Sequence, residues 1–366
     1  MRLALVHDWM NQVGGAESVL EQFVTLFPDA PVYTSIYDPR AMPDSWRGWD
    51  IRPSWMNRLP LIKKHHQPFL PLYPLAFEGF DLSQYDIVLS NKSGFCHGVI
   101  TSPETLHICY CLTPTRYVWR YRDYARREGL GGLTRIALSP LLSYLRLWDR
   151  LATDRVDRFI AISGEVQRRI AKYYRRESEI IYPPVDTQRF APSDSYDDYF
   201  LIVGRLVPYK RIDLAVRACT ALGLPLKVGG CGRDLKRLKS IAGPTVEFLG
   251  RVPDQALPEL MARCKAFLFP GDEDFGITPV EAMAAGRPVI AYACGGALDT
   301  IIENQTGILF HQQSVESLIE ALQHFDPDAC DPSAIRQHAE QFDTAVFRQK
   351  IRDYVAQAYK ERTPWN

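Results

Sequence analysis

Short apolar runs alternate with polar loops and with segments of helical spacing along most of the chain. The first run, LALVHDW at residues 3–9, leads into the loop NQVGG, and the helical pattern AESVLEQFVTLF follows it. A short apolar run that ends in a polar loop is typical of a buried strand in a parallel sheet. The same character recurs in PVYTSIY, DIVLSNKSG, LHICYCLTP and RFIAIS, with the longest helical stretch within residues 134–156. This alternation predicts an α/β domain with a parallel sheet.

A segment rich in proline, serine and aspartate interrupts the pattern at residues 180–199 and is typical of a linker. The pattern then restarts with predicted strands in YFLIVGRL, LPLKVGG, VEFLGRV, AFLFPG and PVIAYACGG, and with helices over 211–222 and in PVEAMAAG. A length of 366 residues also suits two domains, since one domain spans roughly 100–200 residues. We expect an N-terminal domain over 1–186, a C-terminal domain over 187–343, and a last helix in 344–366 that packs back toward the N-terminal domain.

Polar loops follow many of the predicted strands, and they read HDWMNQVGG, GRLVPYK, GGCGRD, FPGDEDFG and ACGG. In open α/β sheets, ligands bind beyond the carboxyl ends of the strands. Two such halves that face each other form a cleft, so we expect the chemistry to lie in one interdomain cleft.

Composition and charge narrow the class of protein only a little. The apolar fraction of 46%, the charged fraction of 23% and the zero net charge are those of an ordinary globular protein, without a field that favours nucleic acid. The apolar run at the N-terminus is too short for a signal peptide, which predicts a cytoplasmic protein. The eight cysteines form no CxxC pair, and most lie in apolar strings, so buried, reduced thiols are expected rather than disulfides or zinc ligands.

Two segments that follow predicted strands are candidates for anion binding. In GGAE, Gly14 and Gly15 precede a helix, where backbone can approach a ligand and free N–H groups can meet an anion. An ordinary tight turn explains the same residues. In VGRLVPYKR, Arg205 and Lys210 lie just past a strand, and two cations at that place suit a diphosphate. A solvated basic loop is the alternative.

The stretch PGDEDFGITPVEAMAAGRP, residues 270–288, carries Glu273 and Glu281 in an E-x7-E spacing. Its acidic triplet DED could hold Mg²⁺ on a nucleotide. Alternatively, a helix begins near Pro279, so that Glu281 lies in the helix, Glu273 lies in the loop before it, and both accept hydrogen bonds from sugar hydroxyls. The simplest interpretation is an acidic helix N-terminus stabilised by the helix dipole.

Together, GRLVPYKR and EDFGITPVEAMAAGRPVIA resemble the retaining glycosyltransferases of family 4, and the resemblance covers essentially the whole chain. HDWMNQVGGAE, CYCLTPTRYVW and FPGDEDFGITPVEA are similar to bacterial mannosyltransferases that build O-antigen and exopolysaccharide units. The resemblance implies the α/β GT-B fold, with two Rossmann-like domains facing across an interdomain cleft. It also implies hexose transfer with retention at the anomeric carbon, with GDP-mannose as the favoured donor and UDP-sugars as the next.

The resemblance also assigns roles to residues. Glu281 is expected to bind the ribose hydroxyls, Glu273 to face the hydroxyls of the donor sugar, and Gly15 to let the N-terminal domain close on the donor. No metal or other cofactor is implied. The implied catalytic residues are Arg205, Lys210 and Glu273, and the implied donor-binding residues are Gly14, Gly15, Phe275, Gly276, Ile277, Thr278 and Glu281.

Two positions depart from the family pattern. Many relatives carry a histidine two residues before the proline of the CYCLTPTRY segment, where this chain has Leu112. In a front-face retaining mechanism the diphosphate itself can take the proton of the acceptor, so an imidazole is not required. The second departure is Arg211, where relatives often have glycine after the motif lysine.

A basic stretch at residues 116–176 bears on the acceptor. It contains fifteen Arg and Lys residues against six Asp and Glu, interleaved with aromatic residues. This composition suits an anionic membrane surface and a polyprenyl-diphosphate-linked saccharide acceptor, and predicts a peripheral enzyme on the inner face of the cell membrane. A solvated helix face is the alternative, whereas nucleic acid is disfavoured because no nucleic-acid-binding pattern is present.

Other function classes share the two-domain architecture. An epimerase of this architecture lacks the E-x7-E spacing, and the lysine context of a phosphorylase is absent here. A non-catalytic two-domain sugar-binding protein remains an alternative, although such proteins usually carry a signal peptide.

Overall fold

The computed structural model describes residues 1–121, 132–193 and 195–362. It divides into two compact units. Unit 1 comprises Met1–Pro184 and Phe347–Asn366, and unit 2 comprises Val185–Val346. Each unit is built on its own parallel sheet with helices around it.

The sheet of unit 1 has seven strands in the order β3-β2-β1-β4-β5-β6-β7, and each neighbouring pair is parallel. Its strands are β1 Leu3–His7, β2 Val32–Thr34, β3 Ile51–Pro53, β4 Ile87–Lys92, β5 Leu106–Cys111, β6 Arg158–Ala161 and β7 Glu179–Ile180. Every residue of β1, β4 and β5 is buried, as the apolar runs predicted, because a central parallel strand is covered on both faces. The edge strands β3 and β7 are short and partly exposed, and the apolar pattern did not reveal them.

Helices surround this sheet in the described part of unit 1. They are α1 Gly15–Leu26, α2 Tyr73–Glu78, α3 Arg116–Trp119, α4 Gly132–Ala152 and α5 Gly164–Arg169, and a π-helical turn Ile170–Tyr174 follows α5. Aromatic side chains fill much of the core on one face of the sheet, including Tyr73, Phe77 and Phe95. The predicted helices after the first strand and within 134–156 correspond to α1 and α4.

A buried carboxylate fills the crevice at the centre of the unit 1 sheet. The strand order reverses between β1 and β4, and the crevice there lies between the loops 8–14 and 93–98 (the unit 1 crevice). Asp8 is 1% exposed and accepts hydrogen bonds from the backbone N–H groups of the four residues Ser93–Cys96 at 2.5–2.8 Å. The Ser93 hydroxyl donates a fifth hydrogen bond at 3.2 Å. These donors are therefore satisfied from within the chain.

A second buried carboxylate, Asp149 of α4, joins several segments of unit 1. Its oxygens accept hydrogen bonds from Thr115 at 2.6 Å, Trp119 at 2.7 Å and Tyr174 at 2.7 Å. The fully buried ammonium group of Lys92 lies 3.8 Å from Asp149 Oδ1. Burial would raise the pKa of Asp149, but this cation and the hydrogen bonds hold it below its usual value.

The sheet of unit 2 has six parallel strands in the order β10-β9-β8-β11-β12-β13. Its strands are β8 Phe200–Val203, β9 Leu226–Gly229, β10 Val246–Gly250, β11 Ala266–Phe269, β12 Val289–Tyr292 and β13 Gly307–Phe310. Its helices are α6 Ile212–Leu222, α7 Leu235–Ser240, α8 Leu257–Ala262, α9 Ile277–Ala284, α10 Ala297–Thr300, α11 Val315–His324 and α12 Pro332–Glu340. The five strands and two helices predicted for this half are all present.

The last described helix, α13, spans Thr344–Glu361, and its residues from Phe347 onward belong to unit 1. Phe347 stacks on Phe23 of α1 with the ring centroids 5.8 Å apart. The guanidinium of Arg348 donates to the side-chain oxygen of Gln22. The chain thus returns to the unit in which it began.

Candidate functional site

The centre of the unit 2 sheet contains a second crevice, between β8 and β11, where the strand order reverses. Ligands of open α/β sheets bind at such a point, beyond the carboxyl ends of the two strands. The loop 204–211 follows β8 and the loop 270–276 follows β11 and leads into α9 (together, the unit 2 crevice). Both motifs that the sequence singled out in this half therefore lie at one place.

An ion pair joins the two loops of the unit 2 crevice. Lys210 Nζ lies 2.5 Å from Glu273 Oε1. The two side chains are only 16% and 20% exposed, so solvent screens this pair less than it screens a surface pair. Gly204 lies beneath the lysine, with its unfilled Cβ position 3.5 Å from Lys210 Nζ.

The residue after the motif lysine, Arg211, adopts a backbone conformation that glycine reaches with less strain than other residues. Arg211 has φ 51° and ψ 34°, in the left-handed region. Side-chain contacts hold it there, since its guanidinium donates to Asp213 Oδ1 at 3.2 Å and to Gln313 Oε1 at 3.2 Å. Gln313 in turn donates to the Pro270 carbonyl at 3.0 Å, so Arg211 also links the two loops of the crevice.

Close backbone packing shapes the entry into α9. Gly276 has φ 94°, and a Cβ there would lie 2.8 Å from the Phe269 ring. The backbone carbonyl of the loop residue Glu273 accepts a hydrogen bond from the Gly296 N–H at 2.9 Å. Gly295 has φ 62°, and a Cβ on it would lie 2.1 Å from the Glu273 carbonyl oxygen. These approaches fix the loop that precedes the helix.

The first backbone N–H groups of α9 have no partner within the helix, as at any helix N-terminus, and can donate to an anion. They include those of Ile277 and Thr278. The sequence predicted the helix start near Pro279, whereas the helix begins at Ile277 and Pro279 is its third residue. Proline is tolerated in this first turn because its missing N–H would have had no helical partner.

Glu281 lies on α9, one turn beyond these N–H groups, and is half-buried. Burial raises the pKa of its carboxyl to about 7. The positive charge of Arg189 acts in the opposite direction, and the negative charges of Asp254 and Asp186 act with burial. A carboxyl with this pKa changes its charge near neutral pH and gains from hydrogen-bond donors that favour the ionised form.

The predicted site residues do not all lie in one unit. Those that unit 2 carries around its crevice are Arg205, Lys210, Glu273, Phe275, Gly276, Ile277, Thr278 and Glu281. Arg205 is exposed, and its guanidinium donates to the Tyr209 hydroxyl at 3.2 Å. Gly14 and Gly15 lie in unit 1, where Gly14 caps α1 in an extended conformation and Gly15 is the first residue of the helix.

The sequence did not single out four residues that shape the crevice: Arg189, Gln313, Gly295 and Gly296. Arg189 and Gln313 are far from the motifs along the chain, and no local pattern marks them. The two glycines stand in the polar loop ACGG after a predicted strand, which was the signal available for them.

Several other predicted features concern parts of the chain outside this crevice. All eight cysteines are free thiols, and six are buried, but Cys231 is exposed and Cys294 is half-buried because both lie in loops beyond strand ends. In the described part of the chain, no group of three or more His, Cys, Asp or Glu side chains is arranged to hold a metal ion. Leu112, at the position of the family histidine, is half-buried.

Several basic side chains of the stretch 116–176 form ion pairs and hydrogen bonds within unit 1. Arg155 pairs with Glu78 at 2.8 Å, and Arg169 pairs with Glu165 at 2.9 Å. Arg176 donates to backbone carbonyls, including that of Val156 at 2.6 Å. Three of the arginines counted in this stretch, Arg122, Arg126 and Arg127, lie outside the described residues. No helix among the described residues has the length and hydropathy needed to span a bilayer.

Comparisons with known proteins match both halves of the chain to glycosyltransferase families. Residues 13–189 match the model of Glycosyltransferase Family 4, and residues 186–342 match that of Glycosyl transferases group 1. A GDP-mannose-dependent alpha-mannosyltransferase of Mycolicibacterium smegmatis is 29% identical over 211 residues, which cover 54% of this chain and 54% of the relative. The GDP-Man:Man(3)GlcNAc(2)-PP-Dol alpha-1,2-mannosyltransferase of Xenopus laevis is 33% identical over 177 residues, which cover 40% of this chain and 36% of the relative.

Among solved structures, Anabaena HepE in complex with UDP superposes with a TM-score of 0.72 at 17% identity, covering 98% of this chain and 100% of that one. At this low sequence identity, the structural similarity shows that the two proteins share a fold, and nothing further. The chain spans about half the length of the first curated relatives that it matches, 52% and 54%. The two family matches run in succession from residue 13 to residue 342, so most of the sequence is similar to glycosyltransferases, and the two parallel sheets are the two Rossmann-like domains of the GT-B fold.

Proposed function

We propose that the protein is a retaining glycosyltransferase that moves a hexose from a nucleotide sugar, with GDP-mannose as the favoured donor, to a lipid-linked saccharide in surface polysaccharide synthesis. The observation that carries the proposal is the unit 2 crevice. There Lys210, the α9 N-terminus and two carboxylates meet at the point where α/β sheets bind ligands.

Each group of the crevice has a role in this proposal. Lys210 and Arg205 hold the diphosphate and stabilise the negative charge that builds on it as it leaves, together with the N–H groups of residues 275–278. Glu281 accepts hydrogen bonds from the ribose hydroxyls, and Glu273 accepts one from the donor sugar.

The proposed reaction retains the configuration at the anomeric carbon. The acceptor hydroxyl attacks from the face that the diphosphate leaves, the bond from the anomeric carbon to the diphosphate oxygen breaks, and that oxygen takes the proton of the acceptor. Such a step uses no imidazole, in agreement with Leu112 at the position of the family histidine. We also propose that the protein requires no metal, because two cationic side chains and helix N–H groups supply positive charge to the diphosphate.

Two observations support GDP-mannose and a lipid-diphosphate acceptor. Curated relatives from M. smegmatis and X. laevis are named for GDP-mannose, and the X. laevis name includes an acceptor linked to PP-Dol. In unit 1, the α4 side chains Tyr144, Leu147 and Leu151 are 51%, 61% and 54% exposed, and Arg150 lies among them. This apolar face carries one arginine, Arg150, which is also paired with Asp154 at 2.9 Å, and it suits an anionic membrane surface on the inner side of the cell membrane.

A second candidate donor is a UDP-sugar. It is supported by the complexes of the structurally similar HepE with UDP and with UDP-glucose. The fold and the roles of the crevice residues remain the same for this donor. A non-catalytic sugar-binding protein is the alternative of another class, and it would bind a nucleotide sugar without releasing nucleotide from it.

Calorimetry with GDP-mannose, GDP, UDP-glucose, UDP-N-acetylglucosamine and UDP tests the donor, each titrated with Mg²⁺ and with EDTA. We expect tight binding of the GDP ligands alone, unchanged by EDTA. Binding of the UDP ligands alone would replace the mannose assignment, and a strict Mg²⁺ requirement would contradict the metal-free site. If neither group binds, or if no nucleotide is released with any lipid-linked acceptor, the transferase proposal is wrong.

Flotation with liposomes tests the membrane surface. We expect binding to anionic vesicles at low salt, weakened by Leu147→Ser and Leu151→Ser together. The matched control is Leu298→Ser, because Leu298 is similarly exposed at 50% but lies in unit 2. Equal flotation of all variants, or of none, would contradict a membrane role for α4.

A further inference from the structure

The ion pair between Lys210 and Glu273 has a consequence for the release of product, if the proposed function is correct. In the proposed reaction Lys210 binds the diphosphate, but its ammonium lies 2.5 Å from a carboxylate of the same chain. Any diphosphate that approaches this lysine meets a negative charge already in contact with it.

The carboxylate is held in place by the chain around it. The loop of Glu273 is fixed by the hydrogen bond from the Gly296 N–H to its carbonyl and by the close approach of Gly295. Lys210 is fixed by the 3-10 turn Pro208–Lys210 and by Arg211, which is anchored through Gln313 to the opposite loop. Both side chains are largely buried and extend from loops that these contacts hold in place, so the carboxylate stays within reach of the lysine when a diphosphate binds.

We propose that Glu273 is an internal counter-ion that competes with the diphosphate for Lys210 and so weakens the binding of the nucleoside diphosphate product. The donor differs from this product by its sugar. A sugar hydroxyl can donate to Glu273 and offset the repulsion between the carboxylate and the diphosphate. After transfer the sugar is gone, the repulsion is no longer offset, and Glu273 regains the ammonium as the nucleotide leaves.

The structure thereby gives Glu273 two successive partners, the donor sugar before transfer and Lys210 after it. Its effect is a preference for nucleotide sugar over nucleoside diphosphate, which reduces inhibition by product. Arg205, which is exposed and whose guanidinium is bonded to the Tyr209 hydroxyl, is not neutralised in this way. The discrimination therefore depends on the lysine.

Calorimetric titration of GDP and UDP into wild type, Glu273→Gln, Lys210→Met and the double variant tests this proposal. Glutamine keeps the size of the side chain and removes its charge. We expect Glu273→Gln to bind the cognate nucleoside diphosphate about five- to tenfold more tightly than wild type does, because the whole charge of Lys210 becomes available. In the Lys210→Met background the same substitution should change the affinity less than twofold, as expected when the effect acts through the lysine.

The cognate nucleotide sugar provides the second readout. Its affinity should stay level or fall in Glu273→Gln, so that the ratio of donor affinity to product affinity drops. Glu247→Gln is the matched control, because Glu247 is an exposed carboxylate on β10 outside the crevice, and it should change neither affinity. Thermal unfolding of each variant shows that it is folded at the temperature of the titration.

Different outcomes separate this inference from the proposed function. If wild type binds nucleotides and Glu273→Gln binds the diphosphate equally or more weakly, the counter-ion role is wrong and the transferase proposal stands. The same conclusion follows if Glu273→Gln tightens binding equally with and without Lys210. If wild type binds neither nucleotide nor nucleotide sugar, the proposed function is wrong and the inference falls with it.

Discussion

The two crevices of this molecule have the same topological origin and opposite chemistry. In unit 1 the four backbone N–H groups of residues 93–96, directly after β4, donate to Asp8, a carboxylate from the neighbouring strand end. In unit 2 the N–H groups that begin α9 have no helical partner, and Lys210 and Glu273 lie beside them only 16% and 20% exposed. One crevice is satisfied from within the chain, whereas the other combines N–H groups that lack a helical partner with an internal ion pair.

A position where the strand order reverses therefore does not by itself make a binding site. An acid that fills the donors turns the crevice into a structural element, and its loss should affect stability. Where no acid fills the backbone donors, substitutions in the crevice should instead change ligand binding and turnover. Substitutions in each crevice test this division.

Asp8→Ala should destabilise the protein by about 3–5 kcal/mol, because it leaves a row of buried N–H groups without an acceptor. Asp8→Asn should cost less, since it keeps one side-chain oxygen in place. Urea unfolding followed by circular dichroism measures both. Asp29→Ala, which removes an exposed carboxylate in the same unit, should stay within about 0.5 kcal/mol of wild type. Equal stability of the Asp8 and Asp29 variants would contradict the structural role of the unit 1 crevice.

Lys210→Ala and Glu281→Ala should alter different kinetic constants, and neither should destabilise the protein as much as Asp8→Ala does. The lysine stabilises charge that develops on the leaving diphosphate, so its loss should lower kcat by about 10²–10³-fold. The loss of Glu281 should mainly raise KM for the nucleotide sugar by about tenfold, because its contacts to ribose are made before and during transfer. Steady-state kinetics with varied donor separates the two. Near-wild-type constants for both variants would show that the crevice is not the donor site.

Glu281 should also make donor binding depend on pH. Its pKa in the free protein is raised to about 7 by burial, and ribose hydroxyls donating to the carboxylate favour the ionised form. Binding should therefore release a proton, and affinity should fall by up to about tenfold per pH unit below pH 7. Calorimetry of wild type and Glu281→Gln in buffers of different ionisation enthalpy measures the released proton. Proton release that persists in Glu281→Gln would assign it to another group.

The same raised pKa has a consequence for stability with the opposite dependence on pH. The folded state binds more protons than the unfolded state between the ordinary pKa of a glutamate and about 7. The contribution of Glu281 to stability therefore falls as pH rises through this range. Wild type should lose stability relative to Glu281→Gln between pH 5 and pH 8, and a constant difference would contradict the raised pKa.

Much of the fold was predictable because it follows from local pattern. Central strands such as β1 and β4 are buried on both faces and appear as continuous apolar runs, whereas β3 and β7 are short edge strands with exposed residues. The positions of Lys210 and Glu273, each in a polar loop after an apolar run, were likewise predictable from the pattern. Their direct pairing was not, because it depends on how two loops approach each other.

The two crevices also could not be told apart from sequence. HDWMNQVGG and FPGDEDFG both present acidic residues after an apolar run, and the pattern does not tell whether a carboxylate turns inward to backbone donors. Asp8 does so because the loop 93–96 directs four N–H groups at one point. The raised pKa of Glu281 likewise depends on burial and on Arg189, Asp186 and Asp254, which are distant along the chain.

The smallest predicted effect concerns Arg211, where the unit 2 crevice combines backbone strain with a structural link. Its φ of 51° favours glycine, while its side chain bonds to Asp213 and Gln313. Arg211→Gly and Arg211→Ala both lose these bonds, but only alanine keeps the Cβ that opposes the left-handed conformation. Arg211→Ala should therefore be less stable than Arg211→Gly by about 1 kcal/mol in urea unfolding. If the two variants are equally stable, the loop has rearranged; if both bind nucleotide as wild type does, the link through Gln313 does not position Lys210.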